Sequence, residues 1–315
     1  MLNKIVLCGI QEQGKDIIKF LFSKDIKVTH IVTISKETAI KNKSESTWVS
    51  YEDLANALGI EIYYANSYSF KDTQDIDYFK DNKFDILLLG GWQRLISQEI
   101  LSTIEYPIGQ HGSSEFLPKG RGRSPLNWSI IKGKKRLIWN LFTIVPGIDE
   151  GDILDYQIFE IRETDTCETL YYKVSVVVKY MLSRTIPKLL NGDLVPTKQV
   201  GMPSYFSKRV PEDGEIDWTT SVFDIYNLIR AVTFPYPGAF TFYKGKKIMI
   251  WAAQVWDTML DFYKDKEYGE VVEIFNDKYV VKCYDGLLLI TASEDAEVFE
   301  GKTYTNGKYD DLLFL

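Results

Sequence analysis

Short apolar runs that end in glycine alternate with amphipathic segments through the first part of the chain. KIVLCG at 4–9 and FDILLLGGW at 84–92 are apolar almost throughout, a pattern typical of strands buried on both faces. The segment at 11–22, QEQGKDIIKFLF, spaces its apolar residues as a helix does. Strand, helix and strand in repeated order predict an α/β fold, a Rossmann-like and mostly parallel sheet joined by crossover helices.

The pattern changes after the long helix that ends near residue 192. Residues 195 to 210 are loop-like, and a helix with the sequence SVFDIYNLIRAV follows. Short alternating strands with turn signals then predict a small all-β module. We therefore expect two domains: residues 1–205 form a catalytic domain, and residues 206–315 form a helical linker with a small β-rich domain. The final residues, DDLLFL, are expected to dock as a tail.

Charge and cysteine content exclude several classes of protein. The net charge of −7 disfavours a general nucleic-acid-binding surface. Three widely spaced cysteines without a CxxC pair predict neither a disulfide scaffold nor a zinc site, and we expect no metal. The amino-terminal residues lack a signal-peptide pattern and no apolar run reaches the length of a membrane span, so we expect a cytoplasmic protein that does not bind membranes.

The chain contains only two histidines, and one of them stands where α/β proteins bind ligands. His111 follows a predicted parallel strand, whereas His30 lies inside a strand among apolar neighbours. Asp149 follows a later strand in the loop GIDEGDI, so we expect both side chains to be able to reach one crevice. A histidine beside a carboxylate is a general acid–base unit. The sequence has no GxSxG motif and no cysteine near His111, so it gives no indication of a covalent nucleophile.

The loop after His111 carries two guanidinium groups. Arg121 and Arg123 have the geometry to bind a phosphate or a carboxylate. They are equally suited to hold the loop itself in place, and the residues do not decide between these alternatives. Taken alone, the residues indicate acid–base chemistry on a ligand with an anionic group.

The order of motifs resembles the folate-dependent formyltransferases over nearly the whole chain. The motifs are HGSSEFLPKGRGRSPLNW, GIDEGDI, GGWQRLISQEIL and the stretch EDGEIDW to PYPGAF. The last stretch is most similar to sugar N-formyltransferases, in particular those acting on UDP-4-amino-4-deoxy-arabinose, and methionyl-tRNA formyltransferases are more distant.

The resemblance implies a reaction and its residues. N10-formyltetrahydrofolate would donate a formyl group to an amine, with His111 and Asp149 as the catalytic pair. The resemblance implies folate contacts from Trp92, Gln93, Arg94, Leu95, Ile96, Val145, Gly147 and Ile148. It implies acceptor contacts from Gly9, Gln11, Ser113, Lys119, Arg121 and Arg123.

One position departs from the family pattern. The family usually has an asparagine two residues before the histidine, where it polarises the formyl oxygen, but this chain has Gly109. Asn127, or the backbone N–H groups of a turn at Gly112 and Ser113, are the replacement donors we expect. The alternative is a catalytically impaired relative that only binds folate.

The acceptor class follows from charge and from the resemblance. Residues 207–315 contain 12 Lys and Arg against 19 Asp and Glu, which is unsuited to tRNA. We therefore expect a nucleotide-linked amino sugar, carried by UDP or dTDP, as the partner, with methionyl-tRNA as the alternative acceptor. The resemblance also suggests surface glycans such as lipopolysaccharide or O-antigen as the destination, and a homodimer as the assembly.

Overall fold

The computed structural model describes residues 3–306, and these residues form two compact units. The first unit contains the chain up to Arg121 together with Ile138–Ile158 and Lys173–Ser204. The second unit contains Gly122–Leu137, Phe159–Tyr172 and the chain from Tyr205 onward. The expected division into domains 1–205 and 206–315 remains a prediction. The expected docked tail at 310–315 lies outside the described residues.

A seven-stranded sheet forms the centre of the first unit, in the strand order β3-β2-β1-β4-β5-β7-β8. The strand pairs from β3 to β5 are all parallel, whereas β5 and β7 are antiparallel. The mostly parallel α/β fold expected from the sequence is therefore confirmed. The strands up to β8 in chain order are β1 (Ile5–Gly9), β2 (His30–Thr33), β3 (Glu61–Tyr64), β4 (Ile86–Gly90), β5 (Tyr106–Ser113), β6 (Arg121–Gly122), β7 (Arg136–Thr143) and β8 (Ile153–Glu160). Strand β6 is not part of this sheet.

Helices connect the parallel strands, as right-handed crossovers require. In α1 the side chains of Ile17, Ile18 and Leu21 are buried, which is the apolar face that the sequence predicts. The helices in chain order are α1 (Glu12–Phe22), α2 (Lys36–Lys41), α3 (Glu52–Leu58), α4 (Thr73–Asn82), α5 (Gln98–Leu101), α6 (Pro125–Ile131), α7 (Cys167–Leu190) and α8 (Val222–Val232), with a 3-10 turn at Pro211–Gly214. Within residues 3–306 no helix is long and apolar enough to span a bilayer.

The second unit holds an antiparallel five-stranded sheet in the order β10-β11-β14-β13-β12. Helix α8 begins after Ser221, whose hydroxyl accepts a hydrogen bond from the Phe223 N–H, and it lies against β11. This sheet confirms the predicted small all-β module. Its strands, with the short preceding strand, are β9 (Tyr205–Phe206), β10 (Ala239–Tyr243), β11 (Lys246–Asp257), β12 (Val271–Phe275), β13 (Lys278–Lys282) and β14 (Leu287–Ser293).

Candidate active site

His111 lies near the carboxyl end of β5 and is almost completely buried. Its Nε2 is 2.7 Å from the backbone oxygen of Gly120. A carbonyl oxygen only accepts hydrogen bonds, so we assign a proton to Nε2. The Gly120 carbonyl therefore fixes both the rotation of the imidazole ring and the nitrogen that carries its proton.

Asp149 faces the other ring nitrogen from the loop between β7 and β8. Its Oδ2 is 3.4 Å from His111 Nδ1, and its side chain is only 18% exposed. A neutral ring with its proton on Nε2 would aim a lone pair at this carboxylate, whereas a ring protonated on both nitrogens donates to it. The structure thus brings together the two residues that the sequence marked as a pair, and their role in catalysis remains a prediction.

The backbone of Asp149 adopts an unusual conformation. Its φ angle is +54°, in the left-handed region that few residues other than glycine adopt. The loop returns to β8 through Gly151, where an added Cβ would lie 1.5 Å from the Thr143 oxygen. Only glycine fits at that point, and the tight turn that results presents Asp149 to His111.

The two arginines after His111 have different surroundings. The side chain of Arg121 is only 9% exposed, and its guanidinium donates to the Gln199 side-chain oxygen at 2.7 and 3.2 Å and lies 3.3 Å from Glu150. These contacts favour the alternative in which Arg121 holds the loop, and its contact with a substrate remains a prediction. Arg123 is exposed, and its backbone N–H donates to the Phe206 oxygen.

Four other residues are expected to contact an acceptor, and two of them, Gly9 and Ser113, lie at strand ends. Gly9 ends β1, and the Gln11 side chain donates to Thr47 at 3.4 Å. Ser113 is buried at the end of β5, where its hydroxyl donates to the Lys119 oxygen. The side chain of Lys119 is exposed. Strand β5 continues through Ser113, so the turn expected at Gly112 and Ser113 is a strand instead, because both residues pair with β7.

Phe142 occupies the space beside Gly109. The two residues are opposite each other in the β5–β7 ladder, and a Cβ on Gly109 would lie 2.9 Å from two ring carbons of Phe142 and 3.0 Å from Ile144. Side chains of opposite residues share one face of a sheet. Gly109 therefore has no vacant space beside it, because Phe142 and Ile144 lie where a side chain would begin.

Asn140 is a polar residue next to His111 that the sequence analysis missed. It is opposite His111 in the ladder, is 2% exposed, and donates from Nδ2 to the His111 and Ile138 oxygens at 3.2 Å each. A lone polar residue in the apolar run LIWNLF was the available signal. Asn127, the side chain expected to replace the family asparagine, donates its amide to the Ala231 oxygen at 2.7 Å. A role of Asn127 in catalysis remains a prediction.

The segments expected to hold folate are irregular and partly apolar. Residues 92–97 lie outside helices and strands. Trp92 is buried against Phe70, with ring centroids 4.5 Å apart, and its indole nitrogen has no hydrogen-bond partner in the described part of the chain. The other expected contacts comprise exposed residues (Gln93, Arg94, Leu95 and Ile148), half-buried residues (Val145 and Gly147) and the buried Ile96.

Comparisons with known proteins identify relatives along most of the chain. A family model described as "Formyl transferase" matches residues 3–186, and one described as "Formyl transferase, C-terminal domain" matches residues 208–309. A bifunctional polymyxin resistance protein, ArnA, from Wigglesworthia glossinidia brevipalpis is 34% identical over 93% of this chain. The chain covers only 43% of that relative.

For two further relatives, the aligned region includes nearly all of this chain and nearly all of the relative. A methionyl-tRNA formyltransferase from Caldanaerobacter subterraneus subsp. tengcongensis is 30% identical over 91% of this chain and 90% of its own length. The crystal structure of an N-formyltransferase from Helicobacter canadensis, in complex with folinic acid and dTDP-3-aminofucose, superposes with a TM-score of 0.66. It covers 93% of this chain and 100% of its own at 18% identity, which indicates a shared fold.

Proposed function

The chain belongs to the formyl transferase family, and from this premise we propose that it formylates the primary amine of a nucleotide-linked amino sugar. The formyl donor is N10-formyltetrahydrofolate. The observation that carries the proposal is the His111–Asp149 pair, held 3.4 Å apart near the carboxyl end of a strand in the family's domain.

The pair supplies the proton handling that formyl transfer needs. The amine nitrogen bonds to the formyl carbon, the bond from that carbon to folate N10 breaks, and the proton lost by the amine ends on N10. A side chain that moves this proton within the site accelerates the step by about 10²–10⁴. With Nε2–H bound to Gly120, the ring edge that exchanges protons is the Nδ1 edge facing Asp149.

The loops beside the pair fit a flat heterocycle with a polar edge. Leu95 and Ile148 are 76% and 52% exposed, so they offer apolar surface to its faces. The backbone of residues 92–97, which lies outside helices and strands, offers hydrogen bonds to its edge. The folate complex of the Helicobacter canadensis relative supports this choice of donor.

The acceptor is inferred from charge and from relatives. The excess of acidic residues in 207–315 opposes tRNA, and a relative in complex with dTDP-3-aminofucose supports a nucleotide sugar. Arg123, with its exposed side chain, is the residue we propose for the diphosphate. A formylated sugar nucleotide of this kind would serve the synthesis of lipopolysaccharide or O-antigen.

A mass-spectrometric transfer assay tests the proposal. N10-formyltetrahydrofolate is offered with UDP- and dTDP-linked 3- and 4-amino sugars, and with methionyl-tRNA in parallel. We expect one sugar to gain a formyl group, His111→Ala to abolish the gain, and His30→Gln, which changes the other histidine, to retain it. Formylation of tRNA alone would instead support the second candidate, methionyl-tRNA formyltransferase, which the 30% identical relative favours.

Two subsidiary proposals have simple tests. Folate binding without transfer to any acceptor in the panel would support an impaired folate-binding relative, the reading that Gly109 raises. A homodimer is proposed from the family resemblance alone, and gel filtration at the mass of one chain would remove it.

A further inference from the structure

Residues 197–204, which we call the strap, contact the loop that follows His111 and the start of β8, next to the loop that carries Asp149. Thr197 pairs with Ile153 at the start of β8, through backbone hydrogen bonds of 2.7 and 2.8 Å. Ser204, at the other end, accepts from the Gly120 N–H at its hydroxyl and from the Arg121 N–H at its carbonyl. Gly120 is the residue whose carbonyl binds His111 Nε2.

Gln199, between these ends, connects the two loops through its side-chain amide. Its Nε2 donates to the Asp149 and Gly151 backbone oxygens at 2.8 Å each. Its Oε1 accepts from Arg121 Nη2 at 2.7 Å and from Nε at 3.2 Å. Both N–H groups and both lone pairs of the amide are used, which is its full hydrogen-bonding capacity.

The strap has little apolar packing to hold it otherwise. Seven of its eight residues are exposed, Gln199 being the exception, and Val200 and Met202 are 86% and 83% exposed. The hydrogen bonds of Gln199 are also directed at the strained part of the site, because Asp149 has a φ of +54°. Such a conformation persists only where the surroundings fix it. The Gln199 amide contributes to this by donating hydrogen bonds to the carbonyls of Asp149 and Gly151.

We propose that Gln199 is the positioning residue that sets Asp149 against His111, by joining the Asp149 loop to the loop that follows His111. The effect of Gln199 on catalysis rests on the proposed function, whereas its effect on the position of Asp149 does not. Gln199 touches neither ring nitrogen nor carboxylate, so it acts through the backbone of Asp149 and through Arg121.

The test compares Gln199→Met, which keeps the length of the side chain and removes its hydrogen bonds, with Lys198→Met on the exposed neighbour. A misplacement of about 1 Å costs about 100-fold in rate, so we expect kcat of Gln199→Met to fall about 10- to 100-fold with KM unchanged. Lys198→Met should match the wild type. Gln199→Glu keeps the acceptor for Arg121 but places an oxygen against two carbonyls, and it should lose at least as much kcat as Gln199→Met.

A spectroscopic measurement separates positioning from general damage. The chain has two histidines, so the ring ¹⁵N signals of His111 are assigned by comparison with His30→Gln. We expect Gln199→Met to move the His111 signals and leave those of His30 in place. An unchanged kcat with unmoved His111 signals would overturn the proposal, and so would movement of both histidines together with a raised KM. If no acceptor is found, the His111 signals still decide the positioning role.

Discussion

At the scale of single residues, Asp149 combines an unusual backbone with a reactive side chain. Its φ of +54° disfavours most residues, but asparagine and aspartate tolerate this region better than others because their short polar side chains bond locally. A substitution by asparagine therefore removes the charge of Asp149 while keeping a side chain that this backbone conformation accepts.

We expect Asp149→Asn to lower kcat by about 10²–10⁴ because the amide cannot balance a protonated ring. Its thermal midpoint should remain that of the wild type, since asparagine fits the backbone. Asp149→Ala should lose the same activity and about 1–2 kcal/mol of stability in addition. Formyl-transfer kinetics and thermal unfolding check both variants, and full activity in Asp149→Asn would remove the carboxylate from the mechanism.

His30 provides a pH-dependent contribution to stability that is independent of catalysis. Burial lowers its pKa, Lys4 lowers it further, and Glu61, 3.3 Å away, opposes the shift. The unfolded chain, with an ordinary histidine pKa of about 6.5, therefore binds the proton more tightly than the folded chain. The stability from neutral His30 is complete above that value and is lost as the pH falls through the lowered folded pKa.

We expect the urea midpoint of the wild type to decrease when the pH is lowered from 7.5 to about 5.5. This range lies above the pH at which most carboxylates titrate. His30→Gln, which cannot titrate, should show a smaller fall. Equal pH dependence in the two proteins would show that other groups are responsible.

At the scale of elements, the turn between β7 and β8 determines the position of Asp149. The Thr143 N–H donates to the Asp152 oxygen at 2.9 Å, and Gly151 lies against the Thr143 carbonyl. This close approach is a backbone-to-backbone contact, so it cannot be relieved by a change of rotamer.

Gly151→Ala should therefore cost more than the roughly 1–3 kcal/mol of ordinary overpacking, and it should lower kcat by displacing Asp149. Gly192→Ala is the control, because Gly192 has a φ of +72° but no atom of residues 3–306 lies within 4 Å of an added Cβ. Its cost should be about 1 kcal/mol with no change in kcat. Urea unfolding and transfer kinetics measure both, and equal losses in the two variants would contradict the steric argument.

The sequence predicts elements whose signal is local and misses those that depend on distant contacts. Strands β1 and β4 and helix α1 follow from apolar periodicity. Strand β8, at the edge of the sheet, was missed because its polarity does not follow its burial: Asp155 and Gln157 are half-buried, whereas Tyr156 and Ile158 are exposed. Gln199 had no signal, because the residues it bonds lie 48 to 78 positions away.

At the scale of the whole molecule, the net charge is informative about binding partners more than about the fold. The net charge of −7 is carried largely by the region after residue 206, where acidic residues outnumber basic ones by 19 to 12. Nucleic-acid binding releases counterions in proportion to the Lys and Arg residues that neutralise phosphates, so its salt dependence counts those contacts.

We expect filter binding with methionyl-tRNA to give no measurable retention from 50 to 200 mM salt, a range over which real phosphate contacts change affinity by about 10³–10⁵. A steep loss of binding across that range would show a basic surface formed by tertiary structure, and would favour the tRNA acceptor.

The ring of Phe142 against Gly109 makes these two positions exchangeable only together. An asparagine introduced at 109 meets ring carbons 2.9 Å from its Cβ, whereas a smaller residue at 142 alone leaves a cavity in the face of the sheet that carries His111. We therefore expect each single substitution to destabilise the chain, so that the effect of a change at one position depends on the residue at the other. Introducing the usual family asparagine at position 109 therefore requires its neighbours Phe142 and Ile144 to move or change as well, so a scan of single substitutions tests the crowding at this position together with the amide.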